Sequence, residues 1–74
     1  MKPVHAPKDL GSAIRAERKR QRLTLAECAG ANGVGIRFLS ELERGKPTAE
    51  LGLALRVAAS LGVRVYVAEP GDPR

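Results

Sequence analysis

The segment LTLAECAGANGVGIRFLSELERGK, Leu23 to Lys46, carries start and stop signals so closely spaced that it can hold only short helices. Thr24 stands just ahead of an apolar-periodic run, and Glu27 follows three residues later. Hydroxyl and carboxylate can each accept from the other residue's backbone N–H, which starts a helix at Leu25. Asn32-Gly33 supplies the φ > 0 turn that stops this helix, and Gly45 can stop the next. The spacing therefore predicts a helix over 25–31, a glycine turn and a second helix over 36–44.

Upstream, Leu10, Ala13, Ile14 and Glu17 recur on one face, while Arg15, Lys19 and Arg22 fall largely elsewhere. This predicts a helix over roughly 9–21, with Asp9 at its positive pole and Arg18-Lys19-Arg20 at its negative one. Residues 1–8 hold two prolines and a histidine without apolar periodicity, and they read as a flexible basic arm. After Pro47, Thr48 is expected to cap a fourth helix that buries Leu51, Ala54, Leu55, Ala58 and Leu61 and ends at Gly62. Leu53 and Val57 then lie on a flanking stripe suited to another subunit. Val63-Arg64-Val65-Tyr66-Val67 alternates with period two and is rich in β-branched residues, so 63–68 is predicted as a strand. A lone strand needs a second edge, and the nearest supply is the same strand of a second copy, paired antiparallel about a two-fold axis. Residues 69–74 read as a flexible tail.

Seventy-four residues suffice for one domain, and with one Phe and one Tyr among many Leu, Ala and Val the core is small and aliphatic. That fits packed helices, an all-α class, and excludes a sandwich or barrel. A formal charge of +5 favours an anionic partner, most often nucleic acid. The single cysteine, Cys28, cannot form an intramolecular disulfide, as expected in a reducing cytosol. There is no apolar run of membrane-spanning length and no signal-peptide segment, so a cytoplasmic, nucleoid-associated protein is expected. Cys28 and His5 form no credible dyad, and His5 has no second ligand at metal-binding spacing. No catalysis, metal or cofactor is expected.

Two short helices about a glycine turn, with a basic exit at Arg44 and Lys46, are the layout of a helix-turn-helix DNA reader. The chain resembles the XRE/Cro-type helix-turn-helix family over residues 9–62. The matching residues are Leu10-Gly11, Ile14-Arg15, Arg18, Leu23-Thr24, Glu27, Ala29, Gly33-Val34, Leu39-Ser40, Leu42-Glu43 and Gly45. More narrowly, RFLSELERGKPTAELGLALRV followed by an alternating strand is similar to the HipB-type antitoxins. That resemblance implies a four-helix, lambda-repressor-like domain whose C-terminal strand pairs across a homodimer, with Leu53, Val57, Val63, Val65 and Val67 at the dimer interface. It implies a repressor that binds an inverted-repeat operator in double-stranded DNA and neutralises a HipA-like serine/threonine kinase toxin. The alternative is a free-standing regulator with no toxin partner; a third reading is an adaptor that has lost DNA binding.

Residue roles follow from the same resemblance. Arg18 and Glu43 occupy positions of an internal ion pair, the alternative for Arg18 being a phosphate contact. Ile36, Arg37, Ser40 and Glu41 match base-contacting positions. Arg37 can donate two parallel bonds to guanine, against a phosphate contact or a solvated charge as alternatives. Ile36 can pack on a thymine methyl or locally, Ser40 can bond a base or phosphate, and Glu41 either accepts from a cytosine amino group or faces water. Thr24, Arg44 and Lys46 match backbone-contacting positions, and Arg22 is expected to join them, with Arg20 either a further contact or a solvated charge. Three residues depart from the family pattern: Leu25 stands where a glutamine is usual, Gly35 provides no capping oxygen, and Gly30 weakens its helix by roughly 1 kcal/mol relative to alanine.

Overall fold

In a computed structural model that describes residues 1–71, the chain builds four helices: α1 (Pro7–Arg20), α2 (Leu25–Asn32), α3 (Ile36–Glu43) and α4 (Leu51–Ser60). The all-α expectation holds, and none of the described helices is long and apolar enough to cross a membrane. Ile14 of α1, Cys28 and Ala29 of α2, Leu39 and Leu42 of α3, and Ala54, Val57 and Ala58 of α4 form one buried cluster. α3 packs against both α1 and α2, and α4 against α2. Full burial of each Ile, Leu or Val side chain contributes about 1.5–3 kcal/mol, so a cluster this small leaves little margin.

All four helices end alike. In each, an N–H just past the helix donates to the carbonyl five residues earlier: Leu23 N–H to the Arg18 carbonyl (3.1 Å), Val34 to Ala29 (3.0 Å), Lys46 to Glu41 (3.0 Å) and Val63 to Ala58 (2.9 Å). This closure needs a left-handed residue at the turn. Gly33, Gly45 and Gly62 provide it after α2, α3 and α4, but after α1 it falls to Arg22, at φ 59°.

The helix starts differ from expectation at two places. α1 begins at Pro7, ahead of the expected Asp9, because the Asp9 carboxylate reaches back to accept from the N–H of Ala6 (2.8 Å) and His5 (2.9 Å). Pro7 and Lys8, assigned to the arm, belong to the helix. α4 is capped by Glu50, whose carboxylate accepts from the N–H of Gly52 (3.0 Å) and Leu53 (2.8 Å), and Thr48 plays no part.

The face of α4 is also corrected. Ala54, Val57, Ala58 and Leu61 form its buried stripe, with Val57 fully buried, while Leu51 and Leu55 are 64% and 40% exposed. Ala54, Ala58 and Leu61 are buried as expected; the two rotations differ in whether Leu51 and Leu55 or Val57 completes the stripe, and the helix turns Val57 into the shared core. Val57 is thus unavailable to another subunit. Leu53 is half-buried, and Ala13 of α1, expected inside, is exposed.

Among the described residues no strand forms, and 63–68 have no regular secondary structure. One chain has no second edge for this segment to pair with. Val63 packs against the core, whereas Val65, Tyr66 and Val67 are 45%, 63% and 88% exposed. Of the expected tail, 72–74 lie outside the described residues.

Candidate nucleic-acid interface

α3 turns inward with Leu39, Leu42 and Glu43 and half-buries Phe38. At about 100° per residue, Arg37, Ser40, Glu41 and Arg44 share the opposite arc, roughly 100° wide. Arg37 and Arg44 on that arc are exposed and Ser40 and Glu41 half-buried, while Ile36 sits 52% exposed at the first turn. Just past the helix, Lys46 is exposed beside Arg44. The structure thus brings together Ile36, Arg37, Ser40, Glu41, Arg44 and Lys46 on one outward surface. Gly35 caps α3 without a side-chain acceptor.

One carboxylate lies within this basic surface. Glu41 Oε2 is 3.8 Å from Arg37 Nε, and Glu41 Oε1 accepts from Lys46 Nζ at 3.4 Å. The first contact is the i,i+4 pairing of a helix; the second returns from beyond the Gly45 turn.

Behind the surface, buried polar bonds fix the angle of α3. The Arg18 guanidinium donates to Glu43 through Nε (2.6 Å) and Nη2 (2.9 Å) and to the Leu23 carbonyl through Nη1 (2.7 Å). Both side chains are buried, and the bond to Glu43 raises the Arg18 pKa above its ordinary value, so the guanidinium stays charged. Arg18 and Glu43 are therefore committed inward. Close by, a Cβ on Gly11 would approach the Glu43 carbonyl oxygen to 2.8 Å, so α1 lies directly on the α3 backbone.

Sequence reasoning missed a second set of braces. Arg56 Nη2 donates to the Asn32 carbonyl (2.6 Å), Asn32 Nδ2 donates to Ser60 Oγ (3.0 Å), and Gln21 Nε2 donates to the Leu61 carbonyl (2.8 Å). They tie the ends of α1 and α2 to α4. No local spacing could have signalled them, because the partners are 24 to 40 residues apart.

At the start of α2, Glu27 N–H donates to Thr24 Oγ1 (3.0 Å) and Thr24 N–H donates to Glu27 Oε1 (2.8 Å). The Thr24 N–H, and after it the Thr24 side chain, hold the Glu27 carboxyl below its ordinary pKa. In this reciprocal cap the Thr24 N–H is taken and its hydroxyl faces the Glu27 carboxylate. Leu25, in place of a polar brace, packs against the core. Arg22 is exposed on its left-handed turn, and Arg20 is held by Glu17 through two 2.6 Å bonds. Cys28 is buried in the core, and burial pushes its thiol pKa up, away from nucleophilic chemistry.

No family model matches the chain. In sequence it is 44% identical over 73 residues to the uncharacterized HTH-type transcriptional regulator y4mF of Sinorhizobium fredii (strain NBRC 101917 / NGR234), spanning 99% of this chain and 96% of that protein. It is 38% identical over 69 residues to an uncharacterized HTH-type transcriptional regulator of Mycobacterium tuberculosis (strain CDC 1551 / Oshkosh), of which it spans only 49%. Among solved structures, a chain of the "Structure of HipA-HipB-O2-O3 complex" superposes with TM-score 0.83 at 18% identity, over 95% of this chain and 99% of that one. A chain of the "HipB-O4 20mer complex" does so with TM-score 0.82, at the same identity and coverage. At that identity the likeness speaks for the fold.

Proposed function

The chain belongs to the HTH-type transcriptional regulators, and from that premise we propose that it is a dimeric, sequence-specific repressor that occupies an inverted-repeat operator. The observation that carries this reading is the outward arc of α3, basic and exposed on a helix whose other side is locked by Leu39, Leu42 and the Arg18–Glu43 pair. Ile36, Arg37 and Ser40 read bases in the major groove, with Arg37 donating to guanine. Arg44 and Lys46, joined by Arg22 and Thr24, hold phosphates and set the salt dependence. No catalysis is assigned to the chain, and its place of action is the nucleoid.

The dimer interface we infer differs from the one read off the sequence. Leu51 and Leu55 of α4, with Val65 and Tyr66, are large apolar side chains left in solvent, and Leu55, Val63, Val65 and Tyr66 line one shallow groove. A second copy covers this face, with 63–68 pairing antiparallel to its counterpart and Val63, Val65 and Val67 in the ladder; Leu53 flanks it. Such a dimer sets two copies of α3 about 34 Å apart, one DNA turn.

As a finer step, the chain is an antitoxin that binds a HipA-like kinase and represses the operon encoding both. Its support is the likeness to chains of HipB-containing complexes, one of which also contains HipA. A second reading, a free-standing regulator, is favoured by the relatives' names, which mention regulation and no toxin. Co-purification with the product of the adjacent reading frame, followed by promoter binding, separates the two. Capture of a kinase supports the antitoxin; promoter binding with no captured kinase supports the free-standing regulator. For the DNA reading itself, Arg37→Ala should relax preference at one base pair per half-site, a discrimination of about 1–3 kcal/mol. Uniform loss across operator variants would make Arg37 a phosphate contact.

A further inference from the structure

We propose that Glu41 is a specificity-determining residue that lowers the affinity of this chain for non-operator DNA; the proposal rests on the reading of α3 as the DNA-facing helix. The carboxylate is seated between two cations of that surface, 3.8 Å from Arg37 Nε and 3.4 Å from Lys46 Nζ. It is also the more enclosed member of each pair: its side chain is 25% exposed, against 90% for Arg37 and 45% for Lys46. The cations can swing out toward a ligand more freely than the acid can swing away from it. Exposed pairs of this kind contribute little to folding, so stability does not account for a lone acid among Arg37, Arg44 and Lys46.

Binding does account for it. A duplex presents phosphates at the same density whatever its sequence, and a face of bare cations holds all of them alike. Any duplex that engages Arg37 and Lys46 must take them from Glu41 and accept a carboxylate near its phosphates. That penalty is the same for every sequence. Only an operator offsets it, through bonds from Arg37 to base edges that random DNA does not offer. A repulsive element common to all competitors, compensated only at the cognate site, widens the ratio between them.

The test compares the full-length chain with Glu41→Gln, which keeps shape and removes charge, and Glu41→Asp, which keeps charge. Each is titrated at two salt concentrations against an operator duplex selected from a random pool by the parent chain, and against a scrambled duplex of equal length. For Glu41→Gln, affinity for the scrambled duplex should rise about three- to tenfold at low salt, and its salt slope should steepen by up to about one counterion. Operator affinity should rise less, so the specificity ratio falls, while Glu41→Asp should keep the parent ratio to within about twofold. Glu41→Ala, which removes the charge without an amide, must give the same ordering. Unchanged affinity for the scrambled duplex overturns the proposal. So does a selective loss at the operator, which would make Glu41 a base contact. If the parent chain itself selects no duplex, the reading of α3 fails, and it fails before any substitution is made.

Discussion

Removing one partner of the Arg18–Glu43 pair should cost the chain a large fraction of its stability. The guanidinium makes three bonds, two to Glu43 and one to the Leu23 carbonyl, and the two side chains are 9% and 4% exposed. Glu43→Gln leaves a buried cation facing an amide that can accept at only one oxygen. Breaking a buried pair from one side costs about 3–5 kcal/mol. The Leu23 bond survives the change, so the lower end of that range is expected, about 3 kcal/mol. A domain of this length is stable by about 4–11 kcal/mol in total, so this is a large fraction of it.

The assay is urea unfolding followed by helical circular dichroism, at one fixed protein concentration because dimerisation would add to apparent stability. With a slope of about 1–1.5 kcal/mol per molar, the midpoint should fall by about 2–3 M. Arg18→Met combined with Glu43→Leu should recover most of the loss, because the buried charges leave together. A residue of about 1 kcal/mol should persist, since the Leu23 carbonyl loses its donor. If each single substitution costs under about 1 kcal/mol, the pair behaves like an exposed one, and the argument that it fixes α3 is wrong.

Four further outcomes are expected. Gly30→Ala places a methyl in open space on α2 and should stabilise by about 1 kcal/mol, raising Tm by roughly 4–8 °C. Gly11→Ala drives its methyl into the α3 backbone and should cost about 1–3 kcal/mol; equal effects in the two melts would refute the packing of α1 on α3. Arg22→Gly relieves a left-handed arginine and should stabilise the fold by about 1 kcal/mol, yet flatten the salt slope of DNA binding by about one charge; an unchanged slope removes Arg22 from the interface. Finally, the folded chain holds the Asp9, Glu17 and Glu27 carboxyls below their ordinary pKa values. Their contribution is therefore present at neutral pH and should be lost as pH falls below about 4, where the unfolded chain takes up protons first. Glu27→Gln should reduce that acid sensitivity in a pH series of thermal melts, and an identical pH profile would show that the α2 cap contributes nothing.

What could be read in advance follows from how local each cause is. The α2 cap is spelled by residues three apart, and the ends of α2, α3 and α4 are spelled by Gly33, Gly45 and Gly62, whose lack of a Cβ is the very property the turn needs. The identical turn after α1 was not legible, because Arg22 has no such property; the bonds from Leu23 N–H to the Arg18 carbonyl and from Arg18 Nη1 to the Leu23 carbonyl close it. Periodicity located α4 but left its rotation undetermined. Ala54, Ala58 and Leu61 fit either rotation, and Leu51 and Leu55 on one flank are larger than Val57 on the other, so size alone points the wrong flank inward; the shared core takes Val57. That error bears on function, since it hid the apolar face of Leu51 and Leu55 and put Val57 on the surface. The Arg18–Glu43 pair entered through a family resemblance, for nothing in a separation of 25 residues announces a contact. The same holds at Glu41. Its link to Arg37 is visible as helix spacing, but Lys46 comes within reach only because Gly45 folds the chain back, and it is that second cation that places the acid inside the basic surface.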